Sequence, residues 1–210
     1  MLTRSSITTL LIIAVVIWGG FLWVRGIELN WDHAEPFTFT VSVLTGLVWL
    51  FDRYLWKWRL LDFLGVKPSL IGTWRVELQS TWCDPKTGVR ANPVMGFAVI
   101  RQTYSSISIR IMTREAESFL KTSRFDKQDD GVTFLFGAYQ SDPSIHARQG
   151  ASEIHYGSFQ YKLVGHPVEQ IVGHYWTDRS TKGSITIDGR KKVLFDSYES
   201  AEEGYAGAPA

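Results

Sequence analysis

Residues Gly72–Ser80 read Gly-Thr-Trp-Arg-Val-Glu-Leu-Gln-Ser, so that Trp74, Val76 and Leu78 alternate with Arg75, Glu77 and Gln79. Side chains along a strand point to opposite faces in turn, and this period of two predicts a strand with one buried and one wet face. Comparable runs follow at 94–102, 104–113, 118–125, 132–139, 154–163, 168–177 and 183–188, giving eight candidate strands. Clusters of turn-forming residues separate them: CDPKTG, KQDDG, SDPS, VGHP and DRSTKG. Beyond about residue 67 no segment shows a convincing helical stripe. Eight short antiparallel strands can close on themselves, which removes exposed sheet edges and leaves room for packed side chains or one small ligand. The expected fold of residues 67–196 is therefore an eight-stranded antiparallel β-barrel, with a two-sheet sandwich as the alternative. Residues 197–210, SYESAEEGYAGAPA, are small, polar and acidic, and are expected to be a disordered tail.

Upstream the composition changes. Ile7 to Val24 contains 18 positions without a charge, bracketed by Arg4 and Arg25. A bilayer span needs about 20 mostly apolar residues, so this run is expected to cross once the arginines reach the headgroups. A cleavable signal peptide is the rival, weakened by the length of the run and the lack of a small-residue cleavage site before Glu28. A second uncharged run, Phe37 to Phe51, follows Pro36; it is read as a second span, with an interfacial helix as the alternative because DRYLWKWRLLDFLG after it is amphipathic. Residues 1–66 are thus expected to form a transmembrane helical hairpin and a basic linker. The connection 25–36 holds Glu28, Asp32 and Glu35 against one arginine, while Arg4 and Arg53, Lys57, Arg59 and Lys67 flank the outer ends. Positive charge stays on the cytoplasmic side, so both termini and the barrel are expected in the cytosol.

The chain of 210 residues has 22 Lys and Arg against 21 Asp and Glu, a net charge of +1. That excludes the broad basic field of a generic duplex-DNA binder, and neither DNA nor RNA is expected as a partner. Between Pro68 and Asp196 the balance is 16 to 13, a net of +3 that favours an anionic partner met locally. The single cysteine, Cys83, cannot form an internal disulfide or a thiolate cluster and suits a reducing compartment.

No constellation for catalysis stands out: there is no HExxH or H-x-E spacing, no Walker A and no Rossmann glycine pattern. His155 and His174 could meet on neighbouring strands as metal ligands, although hydrogen-bonded structural histidines are the plainer reading. No catalytic residue, metal or cofactor is expected. A binding reading has more material. Thr177, Arg179, Thr181 and Lys182 lie in a hydroxyl-rich, cationic hairpin, and guanidinium, ammonium and hydroxyl groups all suit phosphate oxygens. The plainer reading is a polar turn with solvated charges. Arg101 and Arg110 project opposite their apolar strand neighbours. If that face lines the barrel, each needs an anion, because an unpaired buried charge is very costly; if it faces water, neither means anything special. Tyr104, Tyr156, Tyr161 and Tyr175 offer stacking faces for nucleobases, though strand tyrosines usually pack across strands.

The order of these parts carries a resemblance. Two N-terminal apolar segments, a basic linker, LIGTWRVELQS opening the strands and GHYWTDRSTKGSITI near their end resemble the SMODS-associated two-transmembrane β-barrel effectors of bacterial CBASS anti-phage systems. The resemblance covers about residues 5–195, and Trp74 in Gly-Thr-Trp is similar to the lipocalin-type tryptophan that closes one barrel end. It implies a lipocalin-like cytosolic barrel that binds a cyclic dinucleotide made by a partner CD-NTase. It implies too that ligand binding drives a homo-oligomer of membrane segments, loss of inner-membrane integrity and abortive infection. The rivals are a membrane-anchored carrier or sensor of an apolar small molecule and, third, a membrane enzyme.

Overall fold

The computed structural model describes residues 4–26, 31–58, 67–84, 86–149 and 153–207. Two compact units result: Met1–Val66 together with Thr103–Ser106, and Lys67–Gln102 together with Ile107–Ala210.

The first unit holds helices α1 (Arg4–Val24) and α2 (Trp31–Arg53) and a short 3₁₀ turn, Leu55–Lys57. Helix α2 begins before Pro36, so Asp32 and Glu35, expected in the connection, are helical. Among the described residues no helix is long and apolar enough to cross a membrane. Only part of the uncharged run of α1 falls among the described side chains, and α2 carries Asp32, Glu35, Asp52 and Arg53 within its length. The structure therefore gives the expected membrane hairpin no support of its own. The linker residues 59–66 lie outside the described residues.

The second unit is a closed barrel of eight antiparallel strands, each paired to its sequence neighbours and the last to the first. They are β1 (Gly72–Ser80), β2 (Val94–Gln102), β3 (Ile107–Thr113), β4 (Ala116–Lys127), β5 (Thr133–Pro143), β6 (His155–Val164), β7 (Gln170–Thr177) and β8 (Lys182–Lys191). The two-sheet sandwich is thereby excluded. A short helix, α3 (Ile145–Gln149), interrupts the β5–β6 connection. As the alternation in Gly72–Ser80 requires, Trp74 and Val76 are buried inside while Arg75 and Glu77 are exposed. The interior core joins Trp74, Val76, Ala98, Ile100, Leu135, Ile171, Ile185 and Ile187, with Leu70 beneath.

One end of the barrel is plugged. Trp74 is fully buried, its indole N–H donates to Leu70 O at 2.9 Å, and the Arg190 guanidinium lies 5.4 Å from its ring centroid. Arg190 also donates to Ile71 O and Ser69 O at 2.8 and 3.0 Å. The guanidinium thus satisfies carbonyls of the entering chain while covering an aromatic face, a combination of hydrogen bonding and cation–π attraction.

Over its described residues, 197–207, the tail expected to be disordered is structured instead, and residues 208–210 lie outside the described residues. Tyr198–Ala206 form helix α4, docked on the outside of β2 and β3. Its start is a reciprocal cap: Ser197 Oγ accepts from the Ser200 N–H at 3.1 Å and Ser200 Oγ accepts from the Ser197 N–H at 3.2 Å. Its inner face is Tyr198, Ala201 and Tyr205, packed on Phe97, Val99 and Met112. The Tyr205 hydroxyl lies 2.6 Å from Thr73 O and 2.8 Å from Gly189 O, and Lys191 Nζ donates to Gly204 O at 2.6 Å. Gly204 admits the Phe195 ring, which would stand 2.2 Å from an added Cβ. Three apolar positions at helical spacing are too few to read as a stripe against an acidic composition, yet they suffice once β2 offers an apolar outer face.

Candidate ligand-binding site

At the other end the strands open onto a cavity of about 730 Å³. The segments around it are the β1–β2 loop, the β3–β4 turn and the beginnings and ends of β4, β5 and β6. Its volume falls within the roughly 300–1,000 Å³ common for small-molecule sites.

The walls are aromatic for a reason visible in the register. Along β5–β8, four inward aromatic residues each stand directly opposite a glycine on the neighbouring strand: Tyr139 opposite Gly157, Phe159 opposite Gly137, Tyr161 opposite Gly173 and Tyr175 opposite Gly183. Each glycine gives its partner ring a place against the sheet. A Cβ on Gly157 would come within 2.4 Å of the Tyr139 ring, one on Gly137 within 2.5 Å of Phe159, and one on Gly183 within 2.6 Å of the Tyr175 hydroxyl. On Gly173 it would meet the backbone oxygen of Gln160 at 2.1 Å. With side chains at those positions the rings would fill the cavity; with glycine they pave it. Phe159 and Tyr161 stack at 4.0 Å between centroids. The resulting wall offers π faces with hydroxyl edges.

Polar groups converge on the same space. Ser80, Ser118 and Ser141 line it with Asn92 and His155, and Ser118 Oγ donates to Ser141 Oγ at 3.1 Å. Burial raises the Tyr139, Tyr161 and Tyr175 hydroxyls above the ordinary phenol range, a hydrogen bond with Ser80 partly opposing the rise at Tyr175. These groups therefore stay neutral and can donate. Among the described residues Arg114, in the β3–β4 turn, is the one Arg or Lys that lines the cavity. Glu115, Tyr198 and Glu202 line it beside Arg114.

Of the residues singled out from sequence, Tyr175 lines this cavity. Thr177, Arg179, Thr181 and Lys182 sit at the same end in the β7–β8 hairpin but do not line it; Thr177 and Thr181 bond each other at 2.7 Å between hydroxyls. Arg179 and Lys182 are exposed, the latter beside a shallower outer groove with Arg90, His174 and Trp176. Tyr156 points outward at the start of β6, its N–H donating to Asp178 Oδ2 at 3.1 Å. Arg101 and Arg110 lie on the outer face of the barrel, the alternative in which no anion is required. Arg101 pairs with Asp196 at 3.4 Å, and Arg110 donates to Asp196 O at 2.8 Å and faces Glu117 at 3.7 Å. They fasten the segment leading into α4. Parity at Arg101 is ambiguous in the sequence because Val99 and Ile100 are both apolar, and both are buried, one under α4 and one inside, whereas Arg110 shares its face with Ser106 and Ser108, which reads as solvent-exposed by composition. His155 pairs with Ser141 and His174 with Gln160, so the two histidines are not cross-strand partners. Among the described residues no group of three metal-ligating side chains is assembled.

Tyr161, also offered by the sequence as a stacking face, lines the cavity too, whereas sequence reasoning passed over Tyr139, Phe159, Ser118, Ser141 and Arg114. A signal was present: Gly137-Ala-Tyr139, Gly157-Ser-Phe159 and Gly173-His-Tyr175 repeat glycine and an aromatic residue two apart, which puts both on one strand face.

A barrel plugged at one end, with an aromatic and hydroxyl-lined cavity at the other, defines a receptor for a small molecule. Residues 66–189 match the family model of the Cap15 cyclic dinucleotide receptor domain, and the chain belongs to that family, the one its layout resembled. Two relatives, both described as CD-NTase-associated protein 15, agree. That of Staphylococcus schleiferi is 21% identical over 178 residues, covering 85% of this chain and 86% of its own. That of Escherichia albertii is 22% identical over 147 residues, covering 68% and 71%.

Proposed function

We propose that the protein is a CBASS effector whose barrel binds a cyclic dinucleotide made by a partner CD-NTase and whose N-terminal helices carry the response into the bacterial inner membrane. The observation that carries this reading is the glycine-paved aromatic cavity in a chain of the cyclic dinucleotide receptor family. Two nucleobases offer four π faces, and base–aromatic stacking contributes about 1–3 kcal/mol per base. The serine, tyrosine and arginine groups supply donors for phosphate and ribose oxygens. Binding and signalling, rather than catalysis, is the role that this lining suits.

The membrane part of the reading is supported by the charge-free run Ile7–Val24 and by the arginines and lysines flanking the apolar segments. In it both termini and the barrel are cytoplasmic, and ligand-driven homo-oligomerisation of the helices breaches the bilayer. A coupling of about 1–3 kcal/mol per site, typical of linked equilibria, becomes decisive when many subunits add. The reading as a carrier of an apolar molecule is disfavoured by the hydroxyl, imidazole and charged groups around the cavity.

The test is the full-length chain in phosphatidylethanolamine–phosphatidylglycerol vesicles, titrated with cyclic di-AMP, cyclic di-GMP and cyclic UMP–AMP. A ligand at a hundred times its Kd should stabilise the barrel by about 2.7 kcal/mol, raise its Tm and release trapped dye. Stabilisation without leakage would retain the receptor and remove the membrane role. Leakage from a chain lacking residues 1–66 would do the same.

A further inference from the structure

Helix α4 meets the barrel in two different ways. Its C-terminal half is fixed to backbone: Tyr205 reaches two carbonyls, Lys191 reaches Gly204 O, and Phe195 fills the space over Gly204. Its N-terminal half is fixed to the cavity rim by charge. Arg114 Nη2 donates to Glu202 Oε1 at 2.8 Å and Arg114 Nε to the Tyr198 hydroxyl at 3.3 Å. The Tyr198 hydroxyl in turn donates to Glu202 Oε1 at 3.2 Å, and the guanidinium lies 5.7 Å from the Tyr198 ring centroid. The same three side chains line the cavity.

This places the cavity's one described arginine, its natural partner for an anion, under a carboxylate from a separable helix. The backbone that carries Arg114 is itself held, because Thr113 Oγ1 bonds both the N–H and the carbonyl of Ala116 across the turn at 3.0 Å. Glu202 and Tyr198 hold the Nη2 and Nε edge of the guanidinium, so a phosphate seeking that edge for a two-pronged contact must displace them, and with Glu115 also at the rim it would meet two like charges there.

We propose that Arg114 is the phosphate-binding residue of the cavity and that Glu202 on α4 is its placeholder, so that phosphodiester ligand and the N-terminal half of α4 compete for one guanidinium. The inference rests on the cyclic dinucleotide reading of the cavity and adds to it a residue and a moving part. Ligand entry frees Glu202 and Tyr198, and α4 loosens from the rim while Tyr205 keeps its far end attached. Exposed on the turn, Arg114 can be replaced without disturbing the core.

Calorimetry of the full-length chain in detergent with cyclic di-AMP, cyclic di-GMP and cyclic UMP–AMP tests this, together with hydrogen exchange over residues 198–206. Arg114→Ala should weaken binding by about tenfold to a hundredfold, the range for a lost hydrogen bond to a charged group, and Arg114→Lys should restore part of it. Glu202→Gln should tighten binding by about twofold to fivefold, because an exposed competing ion pair is a weak one. Ligand should raise exchange in 198–206 of the wild type, and the Glu202→Gln chain should show that raised exchange before ligand is added. Binding unchanged by Arg114→Ala, or weakened by Glu202→Gln, would overturn the inference while leaving the receptor reading standing. Ligand-induced protection of 198–206 would overturn the competition. Failure of the wild type to bind any of the three nucleotides would overturn the receptor reading itself, and the inference with it.

Discussion

Replacing Gly157 by alanine puts a methyl group 2.4 Å from Cζ and 2.5 Å from the hydroxyl of Tyr139. Ordinary carbon contacts begin near about 3.5 Å, so the ring must withdraw by roughly 1 Å. The obstruction is a side chain rather than backbone, and the free space lies in the cavity, so the ring moves there. Overpacking of this kind costs about 1–3 kcal/mol. For a chain of this length that corresponds to a fall in Tm of about 2–12 °C, readable by intrinsic fluorescence on the full-length protein in detergent. The displaced ring also narrows the cavity, so ligand affinity should fall further than stability. A second substitution, Tyr139→Leu, removes the obstructing ring and should return part of the lost Tm in the Gly157→Ala background, although alone it lowers Tm. A Gly157→Ala chain melting within about 1 °C of the wild type, or a double variant no better than the sum of the singles, would refute the paving of the wall by glycine–aromatic pairs.

Three further outcomes are expected. Trp74→Phe leaves Leu70 O without its indole donor in a fully buried setting and should destabilise the barrel by about 1–3 kcal/mol in denaturant melts. In alkaline titration followed by tyrosinate absorbance, a fraction of the tyrosines should ionise late: burial raises Tyr139, Tyr161 and Tyr175, and pushes Tyr205 up to about 12. A phenol whose folded value lies above its unfolded one adds stability that is complete below the unfolded value and is lost as pH rises, so the barrel should destabilise from about pH 10 upward. On the acid side, the hydrogen bond from Arg114 holds the Glu202 carboxyl below its ordinary 4.5, with Tyr198 adding to the effect. Its contribution is present above that value and disappears as pH falls through the lowered one, so exchange in residues 198–206 should rise in acid while the barrel core stays protected.

The barrel was legible because its strands obey one rule: where an inner face packs and an outer face is wet, residues alternate, as in Gly72–Ser80. The same rule explains what escaped. Val94–Gln102 is apolar on both faces, Phe97 and Val99 outward and Ala98 and Ile100 inward, because α4 covers the outside. That doubled apolarity was a sequence sign of a covering element, and it hid the parity of Arg101. Helix α4 itself gains little from propensity and much from a prepared surface, which composition cannot register. The cavity depends on which residue stands across from which. Glycine two residues before an aromatic is visible in one strand, but its partner ring belongs to the next, and register is a property of the closed sheet. The hairpin at Thr177–Lys182 lies at the cavity's end of the barrel, and chemistry by residue type alone favoured its exposed cations over the aromatic wall behind them.

The plug of Trp74 and Arg190 has a kinetic meaning. With the base sealed, a guest leaves by the path it used to arrive, so its exit depends both on the contacts it must break with the walls and on the rim segments it must pass. The two levers differ: exchanges among the paved rings change how tightly a messenger sits and therefore how long it stays, while changes in the β1–β2 loop or the β3–β4 turn that act on the passage alone speed or slow arrival and departure together.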